Sequence, residues 1–267
     1  MKVSEITSCY IGPQISPEQF MSEHFFLYLE KGKITGYDGH RRYMLRAGEG
    51  CLVRKNSLVK YHKEKDGGEF GKVVIVFDEA FLKLFLERHA SAERPSHAKE
   101  AFAGFGKNAL VDNFIRSLQP YYKGSGKIDE TFADVKREEL LLVLLKISPA
   151  LGSVFFDFGP PEKIDLEAFM NRNYQFNVSI ERFAYLTGRS LSAFKRDFKS
   201  IFNDTPNRWL IEKRLREAYF LIDKKQKRPG EIYVELGFED LSHFSFAFKK
   251  KFGFAPTELI NGKHSHV

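Results

Sequence analysis

Residues 191–206 read LSAFKRDFKSIFNDTP, and residues 241–256 read LSHFSFAFKKKFGFAP. Leu191/Leu241, Ser192/Ser242, Phe194/Phe244, Phe198/Phe248, Lys199/Lys249, Phe202/Phe252 and Pro206/Pro256 are identical without a gap. Self-similarity of this kind marks one supersecondary unit used twice. In both copies phenylalanine recurs every four residues, which places the rings on one face of a helix as a core-facing stripe. The other side of the first copy carries Ser192, Lys195, Arg196 and Lys199. In the second copy it carries Ser242, His243, Ser245 and Phe246, with Lys249, Lys250 and Lys251 lower down. A basic helical unit present twice points to a polymer read at two adjacent surfaces, and double-stranded DNA is the obvious candidate.

The punctuation around each copy sharpens this reading. Thr187-Gly188-Arg189 is a tight turn after a short helix capped by Ser179, and Ser190 caps the helix over Leu191–Phe202. Helix, glycine turn and capped helix with an outward polar face make a helix-turn-helix, whose second helix enters the major groove. Arg196 then suits guanine O6/N7, Lys195 guanine or phosphate, and Lys199 with Arg189, Ser190 and the helix N-terminus suit phosphates. Leu236-Gly237-Phe238 and a capping Asp240 repeat the arrangement before the helix over Leu241–Phe252. The second outward set is poorer in base-reading chemistry, with Phe246 able either to touch a thymine methyl or to pack within the domain. A helix from Thr205 to about Ile222, capped by Thr205 with Pro206 in its first turn, joins the units. Its eighteen residues span about 27 Å, close to the roughly 34 Å between successive major-groove faces.

Further helices are expected over Ile164–Arg172, from Pro229-Gly230 up to Gly237, and from Thr257. Asp157-Phe158-Gly159-Pro160-Pro161 is the expected linker, since adjacent prolines cannot continue a helix. It divides the chain into residues 1–157 and 158–267. The basic run Lys224–Arg228 reads most simply as a solvated loop, with phosphate contact as the alternative. The first eighty residues read as β, with strands at His24–Leu29, Lys33–Tyr37, Arg42–Leu45, Cys51–Arg54 and Lys72–Phe77 separated by glycine turns. Helices follow over Ala80–His89, Leu110–Leu118 and Thr131–Ile147, the last two broken by Gly124-Ser125-Gly126. The expected fold is therefore α+β, a small β-barrel or sandwich with following helices, then an all-α domain.

Composition bounds the rest. The chain has 267 residues and a formal net charge of +7. Residues 161–267 hold 19 Lys+Arg against 14 Asp+Glu, and residues 1–160 hold 23 against 21, so the excess is concentrated where the repeats lie. No apolar run approaches a membrane span, and the N-terminus lacks a signal-peptide pattern, so a cytoplasmic location is expected. Cys9 and Cys51 read as reduced thiols. His24, His40 and His62 are isolated, with no HxH and no suitably placed glutamate, so neither a metal nor a cofactor is expected and an enzymatic role is disfavoured.

With these residues in view, residues 162–267 resemble the C-terminal DNA-binding domain of the AraC/XylS family of bacterial transcriptional regulators. The resemblance rests on Ile232, Leu236-Gly237-Phe238, Asp240, Ser242, Phe244, Phe248-Lys249, Phe252-Gly253 and Pro256. The first unit adds Leu186, Ser190, Arg196, Phe198-Lys199 and Pro206. It implies two helix-turn-helix units joined by a long helix and inserted into adjacent major grooves. This chain has Phe246 where the family often has arginine, and Leu259-Ile260 where it often has a tyrosine-arginine pair. The N-terminal half is similar to the family's cupin-like regulatory domain, through LRAGEGCLVRKNS at Leu45–Ser57. That implies a small-molecule effector or protein partner, contact with RNA polymerase, and dimerisation through the N-terminal helices, where Leu140–Leu145 is either domain core or dimer seam. Three readings stay open: an effector-controlled regulator, a regulator controlled by a partner protein, and a cupin-type enzyme. A β-domain interior filled by Phe26, Tyr28 and Tyr43 would favour the second.

Overall fold

The computed structural model describes residues 8–11, 19–89, 101–121, 128 and 130–260, and the expected break at Gly124-Ser125-Gly126 lies outside them. The chain divides into two compact units, residues 1–159 and 160–267.

The N-terminal unit holds β1 (Ser8–Ile11), β2 (Phe20–Met21), β3 (His24–Lys31), β4 (Lys33–Tyr37), β5 (Arg42–Arg46) and β6 (Gly50–Val53). It continues with β7 (Ser57–Leu58), β8 (Lys60–Glu64), β9 (Gly71–Phe77), α1 (Glu79–Arg88), β10 (Phe102–Gly106), α2 (Ala109–Leu118), α3 (Glu130–Ile147) and α4 (Gly152–Phe155). One sheet has the strand order β1-β9-β3-β6-β10, a second β5-β4-β8, and β2 pairs with β7. The central strands are near-continuous apolar runs because the large sheet is covered on both faces. One face sends Phe25, Leu29, Val53, Val74 and Val76 toward Ile34 and Leu45 of the small sheet. The other sends Phe26, Leu52, Val73, Ile75 and Phe77 against α1 to α4. Leu140, Leu141 and Leu144 of α3 are fully buried in that helical layer, so most of the leucine run is domain core. Five described strands, β1, β2, β7, β8 and β10, are not announced by the sequence. β8 reads KYHKE and is mostly exposed, and β10 is glycine-rich, so neither carries a period-2 apolar signal.

Two buried polar groups mark the centre of this unit. His24 is enclosed, and its Nδ1 accepts the Lys55 N–H at 3.2 Å. Burial first, then the charges of Lys55 and Arg54, push its pKa down to about 3, so the imidazole is neutral. Cys51, on β6, is a free buried thiol whose pKa burial pushes up to about 12. The end of the unit is held down by charge. Arg54 donates to Asp157 at 3.1 Å, and the ammonium groups of Lys55 and Lys83 each lie 5.4 Å from the Phe158 ring centre.

The described elements of the C-terminal unit are all helices: α5 (Leu166–Asn173), α6 (Ile180–Leu186), α7 (Leu191–Phe202), α8 (Pro206–Lys225), α9 (Pro229–Ile232), α10 (Leu241–Phe252) and α11 (Pro256–Ile260). The α5 helix begins two residues later than expected, because Asp165 accepts the Ala168 N–H at 2.9 Å and fixes the start. α9 is a single turn rather than a helix reaching Gly237. α8 runs through Lys225, so Lys224 and Lys225 lie in its last turn, where cations suit the helix dipole, rather than in a loop.

Candidate nucleic-acid interface

Each helix-turn-helix is set by a glycine turn. At the end of α6 the Thr187 hydroxyl, fully buried, donates to the carbonyls of Phe183 at 2.9 Å and Ala184 at 3.0 Å. Gly188 follows at φ +65°, and a Cβ there would sit 2.4 Å from the Glu162 carbonyl carbon, so no side chain fits. Ser190 then caps α7, its Oγ accepting the Ala193 N–H at 3.3 Å. In the second unit Gly237 stands at φ +87°, where a Cβ would lie 2.7 Å from the Gln175 carbonyl oxygen. Asp240 caps α10 by accepting the His243 N–H at 2.6 Å.

The phenylalanine stripes set which way each recognition helix faces. Phe194 and Phe198 of α7, and Phe244 and Phe248 of α10, are fully buried. The third ring of each stripe, Phe202 or Phe252, is half-buried rather than buried as expected. Phe202 packs on Trp209 of α8 with ring centres 4.6 Å apart, and Phe252 on Tyr219 of α8 at 5.0 Å. Both helices therefore rest on α8, whose twenty residues extend about 30 Å.

With the stripes inward, Ser192, Lys195, Arg196 and Lys199 are exposed along α7, and Ser242, His243, Phe246, Lys249 and Lys250 along α10, with Ser245 half-buried. Ser190 is exposed at the α7 N-terminus. Arg189 departs from this set. Its side chain is only 8% exposed; it donates to Asp197 at 3.2 Å and to the carbonyls of Ile164 at 2.9 Å and Thr187 at 2.7 Å. The expectation that it touches DNA is corrected to a structural role, because its guanidinium is committed to closing the turn. Arg196, with 78% of its side chain exposed, stands beside the same carboxylate at 3.1 Å. Asp197 is held below the usual carboxylate range by Arg189 first and Arg196 second. Asp197 is therefore an anion that orients Arg196 outward. Lys251 is tied at 3.0 Å to Glu212 of α8.

One residue that sequence reading missed organises the unit. Arg214, buried in the middle of α8, donates to the carbonyls of Tyr174 at 2.7 Å, Phe176 at 2.8 Å and Gly237 at 2.8 Å. It thereby links the segment before the first helix-turn-helix to the turn of the second. Burial lowers its pKa to about 10, still well above neutrality. The signal was present in the spacing: Leu210, Arg214, Ala218 and Ile222 follow one another every four residues on the buried face.

In the N-terminal unit, Tyr28, Glu30, Lys107, Asp112, Arg116 and Gln119 help line an open recess of about 380 Å³. The Tyr28 hydroxyl donates to Asp112 at 2.9 Å; burial first and that bond second push its pKa up to about 12. Among the described residues, no three His, Cys, Asp or Glu side chains gather as a metal would need. No described helix is long and apolar enough to cross a membrane.

Comparison with known proteins fits this geometry. A profile of the ExsA N-terminal regulatory domain matches residues 24–154, and a helix-turn-helix domain profile matches residues 183–262. The chain is 25% identical over 265 residues to the HTH-type transcriptional regulator ExsA of Pseudomonas aeruginosa, covering 97% of this chain and 94% of that one. It is 24% identical over 238 residues to the virulence regulon transcriptional activator VirF of Yersinia enterocolitica, covering 86% of each. Among solved structures, ToxT of Vibrio cholerae overlaps with a TM-score of 0.40 at 14% identity, over 95% of each chain, too loosely to carry geometry across.

Proposed function

The chain belongs to the AraC/XylS family of DNA-binding transcriptional regulators, and on that premise we propose that α7 and α10 read two adjacent major-groove faces of one duplex. The observation that carries this reading is the pair of outward faces in register. Ser192, Lys195, Arg196 and Lys199 on α7 answer Ser242, Ser245, Phe246 and Lys249 on α10, each face opposite a buried phenylalanine stripe. Arg196 reads a guanine edge, and Lys195, Lys199, Lys249 and Lys250 hold phosphates with the capped helix ends. Residues 160–267 are the DNA-binding domain, and residues 1–159 receive the signal.

A specific observation favours a partner protein over a small molecule as that signal. Of the three rings expected to fill that interior, Phe26 and Tyr28 face the helical layer instead, and the space between the two sheets is filled by Phe25, Leu29, Ile34, Leu45 and Phe102, with Tyr43 packed on Phe102 at 4.2 Å. The recess beside Tyr28 and Arg116 is the alternative place for a small polar effector. Phe132, Val135 and Leu142 of α3 are exposed and spaced as one stripe, which supports a homodimer. In this scheme the regulator works in the cytoplasm, contacts RNA polymerase when bound, and catalyses no reaction.

Selection from a random duplex pool tests the reading. Two short blocks about one helical turn apart are expected, with strong preference over scrambled DNA. Salt-sensitive binding to any duplex without enrichment, in the presence and absence of cell extract to supply the signal, would sink it.

A further inference from the structure

Phe246 stands out on a surface otherwise built of small polar and basic groups. It is 70% exposed, and among the described residues it stacks on no other ring. It shares one face of α10 with Ser242, Lys249 and Lys250, at spacings of four, three and four residues. The internal repeat makes it the counterpart of Arg196, since the two units superpose in sequence at an offset of fifty. The same helical position therefore presents a guanidinium in the first unit and a phenyl ring in the second. A guanidinium fork matches the acceptors of guanine. A phenyl ring has no hydrogen bonds to offer, and the one apolar group in the major groove is the C5-methyl of thymine.

We propose that Phe246 makes the second helix-turn-helix a reader of pyrimidine C5-methyl groups, so that the α10 block of the operator carries thymine where the α7 block carries guanine. The proposal rests on the duplex-reading role above and adds the chemistry of its second half. Its physical content is one methyl group removed from water against an aromatic face. That is worth about fourfold in affinity for one full methyl contact. The contact is with the methyl and not with the base, so 5-methylcytosine supplies it too and unmethylated cytosine does not.

The test uses the full chain and the duplex recovered by selection. Each thymine is replaced in turn by deoxyuridine, which removes the methyl and leaves every hydrogen-bonding group in place. The expected result is a loss of about three- to fivefold at one or two thymines of a single block, and none elsewhere. Phe246→Ala should bind the thymine and uracil duplexes equally. Phe246→Leu, still apolar, should keep part of the difference, and Arg196→Ala should keep all of it. With cytosine at the sensitive position, methylation of C5 should raise affinity by a similar factor. If every deoxyuridine duplex binds like its parent while preference over scrambled DNA persists, the methyl contact is wrong and the duplex-reading role stands. The methyl contact is equally wrong if neither block contains thymine. If no preference over scrambled DNA exists at all, both fall together.

Discussion

Arg214 and Arg196 carry the same guanidinium and put it to opposite uses. Arg214 is enclosed and has three backbone carbonyls from two separate turns converging on it. Removing it strands those acceptors in the interior, each a loss of about 1–3 kcal/mol. Arg214→Leu should therefore destabilise the C-terminal unit by about 3 kcal/mol or more in chemical denaturation. Arg214→Lys should fall between, since an ammonium group lacks the planar fork that reaches all three. Among the described residues Arg196 bonds to Asp197, and with most of its side chain exposed it can turn toward a base. Arg196→Ala should leave the unfolding midpoint unchanged while costing about 1–3 kcal/mol at the preferred operator and relaxing preference at one base pair. Equal losses on specific and scrambled DNA would assign it to the phosphates instead. Lys250→Ala, by contrast, should weaken binding to every sequence alike and flatten the dependence of affinity on salt by about one ion.

The helices of the C-terminal unit differ in how firmly their ends are fixed. Ser190 and Asp240 each accept a backbone N–H from the first turn that follows, whereas Thr205 makes no such bond and α8 opens on Pro206 instead. Ser190→Ala and Asp240→Ala should each cost about 1 kcal/mol of stability, and Thr205→Ala much less. Gly188→Ala and Gly237→Ala, forced into left-handed backbone against a neighbouring carbonyl, should each cost at least about 1–3 kcal/mol, measured by thermal melting of the purified chain. This is also the scale at which the sequence was most legible. Ser179, Ser190 and Asp240 announce helix starts because their side chains close local hydrogen bonds, and the phenylalanine period announces which face is buried. Legibility fails where the determinant is distant. Arg189 looks like one more cation in a basic stretch, and only the fold brings Asp197 and the Ile164 carbonyl to it. The β8 and β10 strands were missed for the same reason: one is polar, the other glycine-rich, and both are strands only because a neighbour pairs with them.

At the scale of the whole molecule, acid acts through the interior. His24 is neutral in the folded N-terminal unit with a pKa near 3, whereas in the unfolded chain it titrates near its ordinary value of 6.5. Between those limits the unfolded state binds a proton that the folded state refuses. Stability contributed by this group is thus intact above about pH 6.5 and is lost as pH falls toward 3, by up to about 1.4 kcal/mol per pH unit. His24→Gln should remove that share of the slope in urea titrations at stepped pH; an unchanged slope would show that the imidazole is protonated in the fold. The sheet that encloses His24 also encloses Cys51, and this gives the chain a built-in clock. A thiol protonated to about pH 12 and shut off from solvent is inert to alkylating reagents while β6 stays paired with β3 and β10. Every adduct found on Cys51 by peptide mass spectrometry then records one opening of the central sheet. The labelling rate, followed as effector candidates, partner proteins or operator DNA are added, would time how often the sensing half of the molecule breathes, with no dye or engineered residue introduced.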